Sequence, residues 1–260
     1  MTNHLGDIQN SKAIIIFGAN PAVNHPVGFK HILKAKERNN AVLIVIDPRY
    51  TKTAAKADMY AKIRPGTDIP FMYGMLHLIF KHGWHDPEYI KNRVFGMDHV
   101  IKEAKKWTPE KVEDVTGVPA STLYKITRAY ATSKPGTLLW AMGLTQHSIG
   151  SSNTRMAPIL QLALGNMGKF GGGCNILRGH DNVQGATDMC CLSHTLPGYY
   201  GLSEGSWKYF AHNWGVDFKW LQNRFAAKKW MHTKGFTLAK WWQGVLQEEK
   251  TYSDAPIRAL

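Results

Sequence analysis

Ala13-Ile14-Ile15-Ile16-Phe17-Gly18-Ala19-Asn20-Pro21 decides the fold of this chain. Five consecutive apolar residues, three of them β-branched, read as a strand buried on both faces, and Gly-Ala-Asn-Pro closes it with a turn. Downstream, Val27, Phe29, Ile32, Leu33 and Ala35 recur at helical spacing over residues 26–38. Residues 41–46 form a second apolar run, which ends in Asp47-Pro48-Arg49. Strand, helix and strand with continuous apolar strands predict a parallel βαβ unit covered on both sides.

The same rhythm continues outward. Residues 59–63 are a weaker strand, closed by Pro65-Gly66-Thr67-Asp68, and 68–82 carry Phe71, Met75, Leu78 and Ile79 on one helical face. Thr108-Pro109 is a helix start, and a helix is expected over 121–131. Residues 137–141 are a fourth strand, leading into Gly143-Leu144-Thr145-Gln146. Residues 155–164 read as a helix kinked or restarted at Pro158. The expected fold is α/β, a doubly wound, mainly parallel, Rossmann-like sheet over residues 10–178. Residues 179–260 are expected to hold an active-site loop and the beginning of a second, truncated α/β region. Residues 170–202, headed by three glycines, read as a long irregular stretch. Residues 206–246 carry six of the nine tryptophans, with Trp207, Phe210, Trp214, Phe218, Leu221 and Phe225 near helical spacing, as core or subunit interface.

Composition narrows the function classes. The chain has 260 residues, 44% of them hydrophobic, and a formal charge of +13. That charge fits anionic partners, but the basic residues are scattered and the densest groups, at 102–106 and 224–229, are short. A solvated basic surface explains them. A stacking nucleic-acid surface around the tryptophans with Lys228 and Lys229 is an alternative, and no nucleic acid is expected as a partner. Cys174, Cys190 and Cys191 form no CxxC pair, so buried thiols are expected at all three, with no metal held by protein ligands. No apolar run approaches the ~18–20 residues that span a bilayer, and the first residues lack the organisation of a signal peptide.

Ligands of open α/β sheets bind beyond the carboxyl ends of the strands, where this sequence places its polar turns. Gly18 permits close backbone approach to a phosphate. Asp47 can accept ribose hydroxyls, Arg49 can fork onto phosphate oxygens, and Asp68 can accept from the N–H edge of a guanine. Each is equally explained alone as ordinary turn chemistry; together they favour a nucleotide site. Gly18-Ala19-Asn20-Pro21 lacks the GxGxxG turn of an NAD site. A second constellation, Leu177-Arg178-Gly179-His180-Asp181-Asn182-Val183-Gln184-Gly185, reads either as a satisfied polar loop or as a site for an anion. In the second reading the arginine binds charge and the histidine moves protons.

In this order and spacing, the turns resemble the molybdopterin oxidoreductase superfamily, and within it the large subunit of formate dehydrogenases. The resemblance runs through Gly18-Ala19-Asn20, Asp47-Pro48-Arg49, Pro65-Gly66-Thr67-Asp68, Met142-Gly143-Leu144-Thr145-Gln146-His147, Gly165-Asn166-Met167-Gly168 and Pro197-Gly198-Tyr199. The block from Arg178 to Gln184 is the most specific part, and Leu177-Arg178-Gly179-His180 looks closest to the membrane-bound respiratory type. The resemblance implies a bis(molybdopterin guanine dinucleotide) cofactor with molybdenum or tungsten, formate as substrate, and electrons leaving through an iron–sulfur cluster. By motif match, Gly18, Ala19, Asn20, Asp47, Pro48, Arg49, Gly66 and Asp68 would bind one guanine dinucleotide. Met142, Gly143 and Gln146 would line the pterin, Arg178 would hold the formate carboxylate, and His180 would sit beside it.

The family's cysteine-rich iron–sulfur segment and its Sec/Cys metal ligand find no counterpart here. The expectation is therefore an internal fragment, inactive alone, in which Met1 is an internal methionine and 255–260 the start of a further strand. The respiratory type implies export by a twin-arginine signal to a periplasmic, membrane-associated complex with an iron–sulfur subunit and a membrane cytochrome b subunit. Another oxidoreductase of the superfamily and a non-catalytic nucleotide-binding module are the alternatives.

Overall fold

The computed structural model describes residues 1–191, 195–225, 231–232 and 242. Two compact units divide the chain, Met1–Gly179 and His180–Leu260. The first is built on five parallel strands: β1 (Ala13–Phe17), β2 (Val42–Ile46), β3 (Met59–Ala61), β4 (Gly136–Trp140) and β5 (Cys174–Ile176). Their order across the sheet is β3-β2-β1-β4-β5, each neighbouring pair being parallel. β1 is central, and all five of its residues have 0% exposure. At about 1.5–3 kcal/mol for each large side chain fully buried, this run alone accounts for why the sheet is organised around it.

Side chains alternate between two cores, as period-2 geometry requires. Ile15, Phe17, Ile44, Ile46 and Leu138 face the larger one, with Phe71, Met75, Leu123, Ile126 and Leu160. Ile14, Ile16, Leu43, Val45 and Leu139 face the other, with Phe29, Ile32 and Ala35. The helices of this unit, in chain order, are α1 (Pro21–Asn24), α2 (Pro26–Asn39), α3 (Asp68–Lys81), α4 (Pro87–Arg93), α5 (Met97–Ala104), α6 (Pro109–Thr116), α7 (Ala120–Thr132), α8 (Met142–Thr145) and α9 (Gly150–Leu164). The Thr108 side chain accepts from Lys111 N and caps α6 as its sequence signals,.

Three expectations change. α9 starts five residues earlier and runs through Pro158 without restarting. The irregular stretch opening at residue 170 contains β5. Only Cys174 is a buried thiol: Cys190 is half-buried and Cys191 exposed, because both lie past the sheet in the second unit, whereas Cys174 is sealed against β4.

The second unit, over its described residues, is helical: α10 (Val183–Asp188), α11 (Glu204–Asn213) and α12 (Phe218–Gln222), with one isolated antiparallel bridge between Leu196 and Tyr200. Trp207, Phe210, Ala211 and Leu221 form its core, so this part of the tryptophan stripe is interior. Lys228, Lys229, most of 226–246 and the expected strand start at 255–260 lie outside the described residues. Among the described residues no helix is long and apolar enough to cross a membrane.

Candidate functional site

Strand order reverses between β1 and β4, the switch point where ligands of doubly wound sheets bind. A cleft of about 470 Å³ opens there. Turns from four strands line it: Gly18, Ala19 and Asn20 after β1; Asp47, Pro48 and Arg49 after β2; Pro65 and Asp68 after β3; Met142 and Gly143 after β4.

The floor of the cleft is a close crossing of two backbones. Gly18 has φ +54°, and a Cβ there would lie 2.6 Å from the Gly143 carbonyl carbon. Gly143 N donates to Gly18 O at 3.0 Å. A Cβ on Gly143 would in turn sit 2.6 Å from Gly18 O. The two glycines thus let the turns after β1 and β4 pack backbone against backbone at the cleft.

Asn20 is fixed from the side: its Oδ1 accepts from Thr53 N at 3.2 Å and Thr53 Oγ1 at 2.9 Å. Its oxygen is therefore used within the protein, and its amide NH2 is the edge it can offer to a ligand. Thr53, fully buried, also accepts from Ala22 N at 3.0 Å. Asp47 accepts from Arg49 N at 2.8 Å through Oδ1, an Asx-turn, while the Arg49 side chain is exposed at the rim. Burial raises the pKa of Asp47, against the lowering influence of the Arg49 backbone bond and charge.

Asp68 opens α3 and is 6% exposed. Its pKa is also raised: desolvation outweighs the help of its own backbone N–H and of His147, and Asp47 adds to the rise. His147 Nε2 donates to Gly143 O at 2.8 Å and lies 4.0 Å from Asp68 Oδ2. Two costly carboxylates thus converge on one cleft, which is how a site for hydrogen-bond donors or cations is built.

The remaining residues fall elsewhere. Gly66 (φ +82°) meets no neighbour within 4 Å. With Pro65 before it and Thr67 N donating to Arg64 O at 3.3 Å, it forms a type II turn that presents Asp68 without lining the cleft. Gln146 is exposed and does not line the cleft either. Arg178 is half-buried two residues beyond β5, and its carbonyl accepts from His25 Nε2 at 2.7 Å. His180 is exposed and belongs to the second unit. Asn24 and His147 line the cleft but were not singled out by local sequence. For His147 a signal existed, since it stands at the i+4 position from Gly143, where its ring can cap the short turn of α8. Among the described residues no three His, Cys, Asp or Glu side chains gather as a metal site.

The fold and cleft define a doubly wound α/β protein with its ligand site at the switch point of the sheet. Residues 1–237 match the molybdopterin oxidoreductase family, and the chain belongs to that family. Membership implies a molybdopterin cofactor. The chain is 37% identical to the major subunit of the nitrate-inducible formate dehydrogenase of Escherichia coli, covering 78% of this chain and 25% of that protein. It is 39% identical to formate dehydrogenase H of the same organism, covering 84% and 30%. It is 37% identical to the alpha subunit of F420-dependent formate dehydrogenase 1 of Methanococcus maripaludis, covering 83% and 32%. The chain therefore spans a quarter to a third of the length of these relatives. Among solved structures, acetylene hydratase from Pelobacter acetylenicus has a similar fold, with a TM-score of 0.57 and 26% identity over 62% of this chain and 24% of that one.

Proposed function

We propose that this chain is part of the catalytic subunit of a formate dehydrogenase, contributing one guanine-dinucleotide site and the arginine that binds formate. In this reading residues 10–178 are the dinucleotide-binding domain, and 179–260 begin a second one. The observation that carries it is the meeting of Gly18, Asp47, Asp68 and Gly143 at one switch-point cleft, with Arg178 following the neighbouring strand β5 in the same sheet.

The residues present fit a molybdopterin guanine dinucleotide. Gly18 and Gly143 line the cleft with main chain alone, and their crossing leaves no room for a Cβ on either, so a pyrophosphate or pterin can approach the backbone there. Asp68 can accept from guanine N1–H and N2–H2, Asp47 from a ribose hydroxyl, and Arg49 can meet phosphate from the rim. Desolvation of both carboxylates favours occupancy, because donors from a ligand restore part of the lost hydration. Met142, 53% exposed at the cleft wall, offers a soft apolar surface to the pterin; Gln146, which the motif also assigns to the pterin, lies outside this cleft. When bound, the cofactor with its molybdenum or tungsten supplies the two-electron acceptor for formate oxidation to carbon dioxide. Arg178 binds the formate carboxylate through its guanidinium fork and orients the C–H bond. His180, two residues further along the chain, is assigned by the motif as the proton carrier. Onward transfer through an iron–sulfur cluster, an iron–sulfur subunit and a cytochrome b subunit, in a periplasmic membrane-associated complex, follows from the respiratory character of the Leu177-Arg178-Gly179-His180 block.

In the full-length enzyme, Arg178→Ala is expected to raise KM for formate at least about tenfold, the scale of a lost charged hydrogen-bond pair. Unchanged kinetics remove Arg178 from the site. Another reaction of the same family is favoured by the likeness to acetylene hydratase. A cofactor-loaded enzyme that reduces no dye acceptor with formate would support that second reading.

A further inference from the structure

We infer that His25 is a positioning residue for Arg178, holding the substrate arginine in register with the floor of the cofactor cleft. The inference rests on the reading of Arg178 given above. Arg178 stands where sheet order stops: the last ladder bond is Leu177 N to Trp140 O at 2.8 Å, and the next residue, Gly179, meets nothing within 4 Å of where a Cβ would lie. His25 Nε2–H donates to the Arg178 carbonyl at 2.7 Å and fixes the backbone there.

His25 is itself a rigid post. It ends α1 and precedes α2, with Pro26 next in the chain. Its N–H donates to Pro21 O at 3.0 Å, and its carbonyl accepts from Phe29 N at 2.8 Å. Its second ring nitrogen, Nδ1, pairs with Asn24 Oδ1 at 3.0 Å. With a neutral ring the Asn24 amide turns to donate to Nδ1, and with a protonated ring its oxygen accepts; Nε2 donates to Arg178 O in both states. Asn24 lines the cleft. One continuous segment after β1 therefore walls the cofactor cleft through Asn24 and sets the Arg178 backbone through His25. A misplacement of about 1 Å at such a group is enough to cost catalysis heavily.

Two substitutions separate the ring's two contacts. Glutamine places an amide nitrogen near the Nε2 position. Asparagine, a favourable residue ahead of a helix, reaches only the Nδ1 position. In the full-length cofactor-loaded enzyme, His25→Asn is expected to raise KM for formate about five- to tenfold, one hydrogen bond's worth, with kcat changed less than about twofold. His25→Gln is expected to stay within about twofold of wild type on the same scale. In an Arg178→Ala background, His25→Asn adds no further loss, because the two residues act as one unit. Amide exchange of residues 177–180 is faster in His25→Asn than in His25→Gln. Equal kinetics for wild type and His25→Asn, equal losses in both substituted forms, or losses that multiply with Arg178→Ala overturn the inference. An Arg178→Ala variant with unchanged KM defeats the formate reading instead, and the exchange rates then decide the tether: unchanged exchange in His25→Asn overturns it.

Discussion

The two ends of the β-sheet spend buried polar groups in opposite ways. At the amino end of β4 and β5 they satisfy one another. Tyr130 OH donates to Gln161 Oε1 at 2.8 Å, and Gln161 Nε2 donates to Gly136 O and Gly173 O at 2.9 and 2.6 Å. Asn166 Nδ2 donates to Gln161 Oε1 at 3.1 Å, and Asn175 Nδ2 to Thr137 Oγ1 at 2.7 Å. At the carboxyl end, Asp47 and Asp68 are buried at a cost and converge on an open cleft. A closed network fixes the fold, whereas carboxylates desolvated without full internal compensation mark the end that waits for a ligand. Substitutions at the two ends should therefore separate stability from cofactor retention.

The largest effect is expected where the two demands coincide. Gly18→Val must find room for a side chain 2.6–2.8 Å from Gly143 backbone at a positive φ, so the β1 and β4 loops separate. Soluble yield and bound cofactor should both collapse, and a loaded, stable variant would contradict the crossing. Next, Gln161→Ala takes the side-chain partner from the Gly136 carbonyl, the Tyr130 hydroxyl and the Asn166 amide, and leaves the Gly173 carbonyl only its bond from Leu138 N. A loss of about 2–4 kcal/mol is expected in denaturant titration, with the cleft chemistry intact in whatever protein remains folded.

Asp68→Asn should behave in the reverse manner. Cofactor content is expected to fall about tenfold or more, since bonds to a charged acceptor are lost. The cofactor-free protein is expected to gain stability at neutral pH. The folded carboxyl binds its proton more tightly than the unfolded one, so stability falls as pH rises from the ordinary carboxylate range through the raised value. The advantage of Asp68→Asn should therefore be present at neutral pH and vanish in acid below that range. An advantage that grows in acid would refute the desolvation account. The smallest effect belongs to Gly66→Ala, where φ +82° is strained but no atom is near; about 1 kcal/mol is expected from thermal unfolding.

Much of this architecture was legible because it is local. Apolar runs bounded by Gly, Asn-Pro or Asp-Pro marked β1, β2 and β4, and the turns after them carried the candidate cleft residues. β5 was hidden because it is three residues long with Asn175 in its middle, a polarity that makes sense only once Thr137 lies beside it. α4 and α5 were missed because each runs for only about two turns, too short for apolar residues to repeat at helical spacing,. The roles of Thr53 and His25 were illegible for another reason: their partners lie 33 and 153 residues away. Gln146 shows the converse, a residue in a matching motif that the fold leaves outside the cleft.

The most direct test is a density map of the cofactor-loaded, full-length enzyme. The account predicts a guanine ring in the switch-point cleft, its N1–H and N2–H2 edge within hydrogen-bonding distance of Asp68, and its ribose at Asp47. A guanine dinucleotide bound elsewhere, with Asp47 and Asp68 facing only solvent, would contradict it.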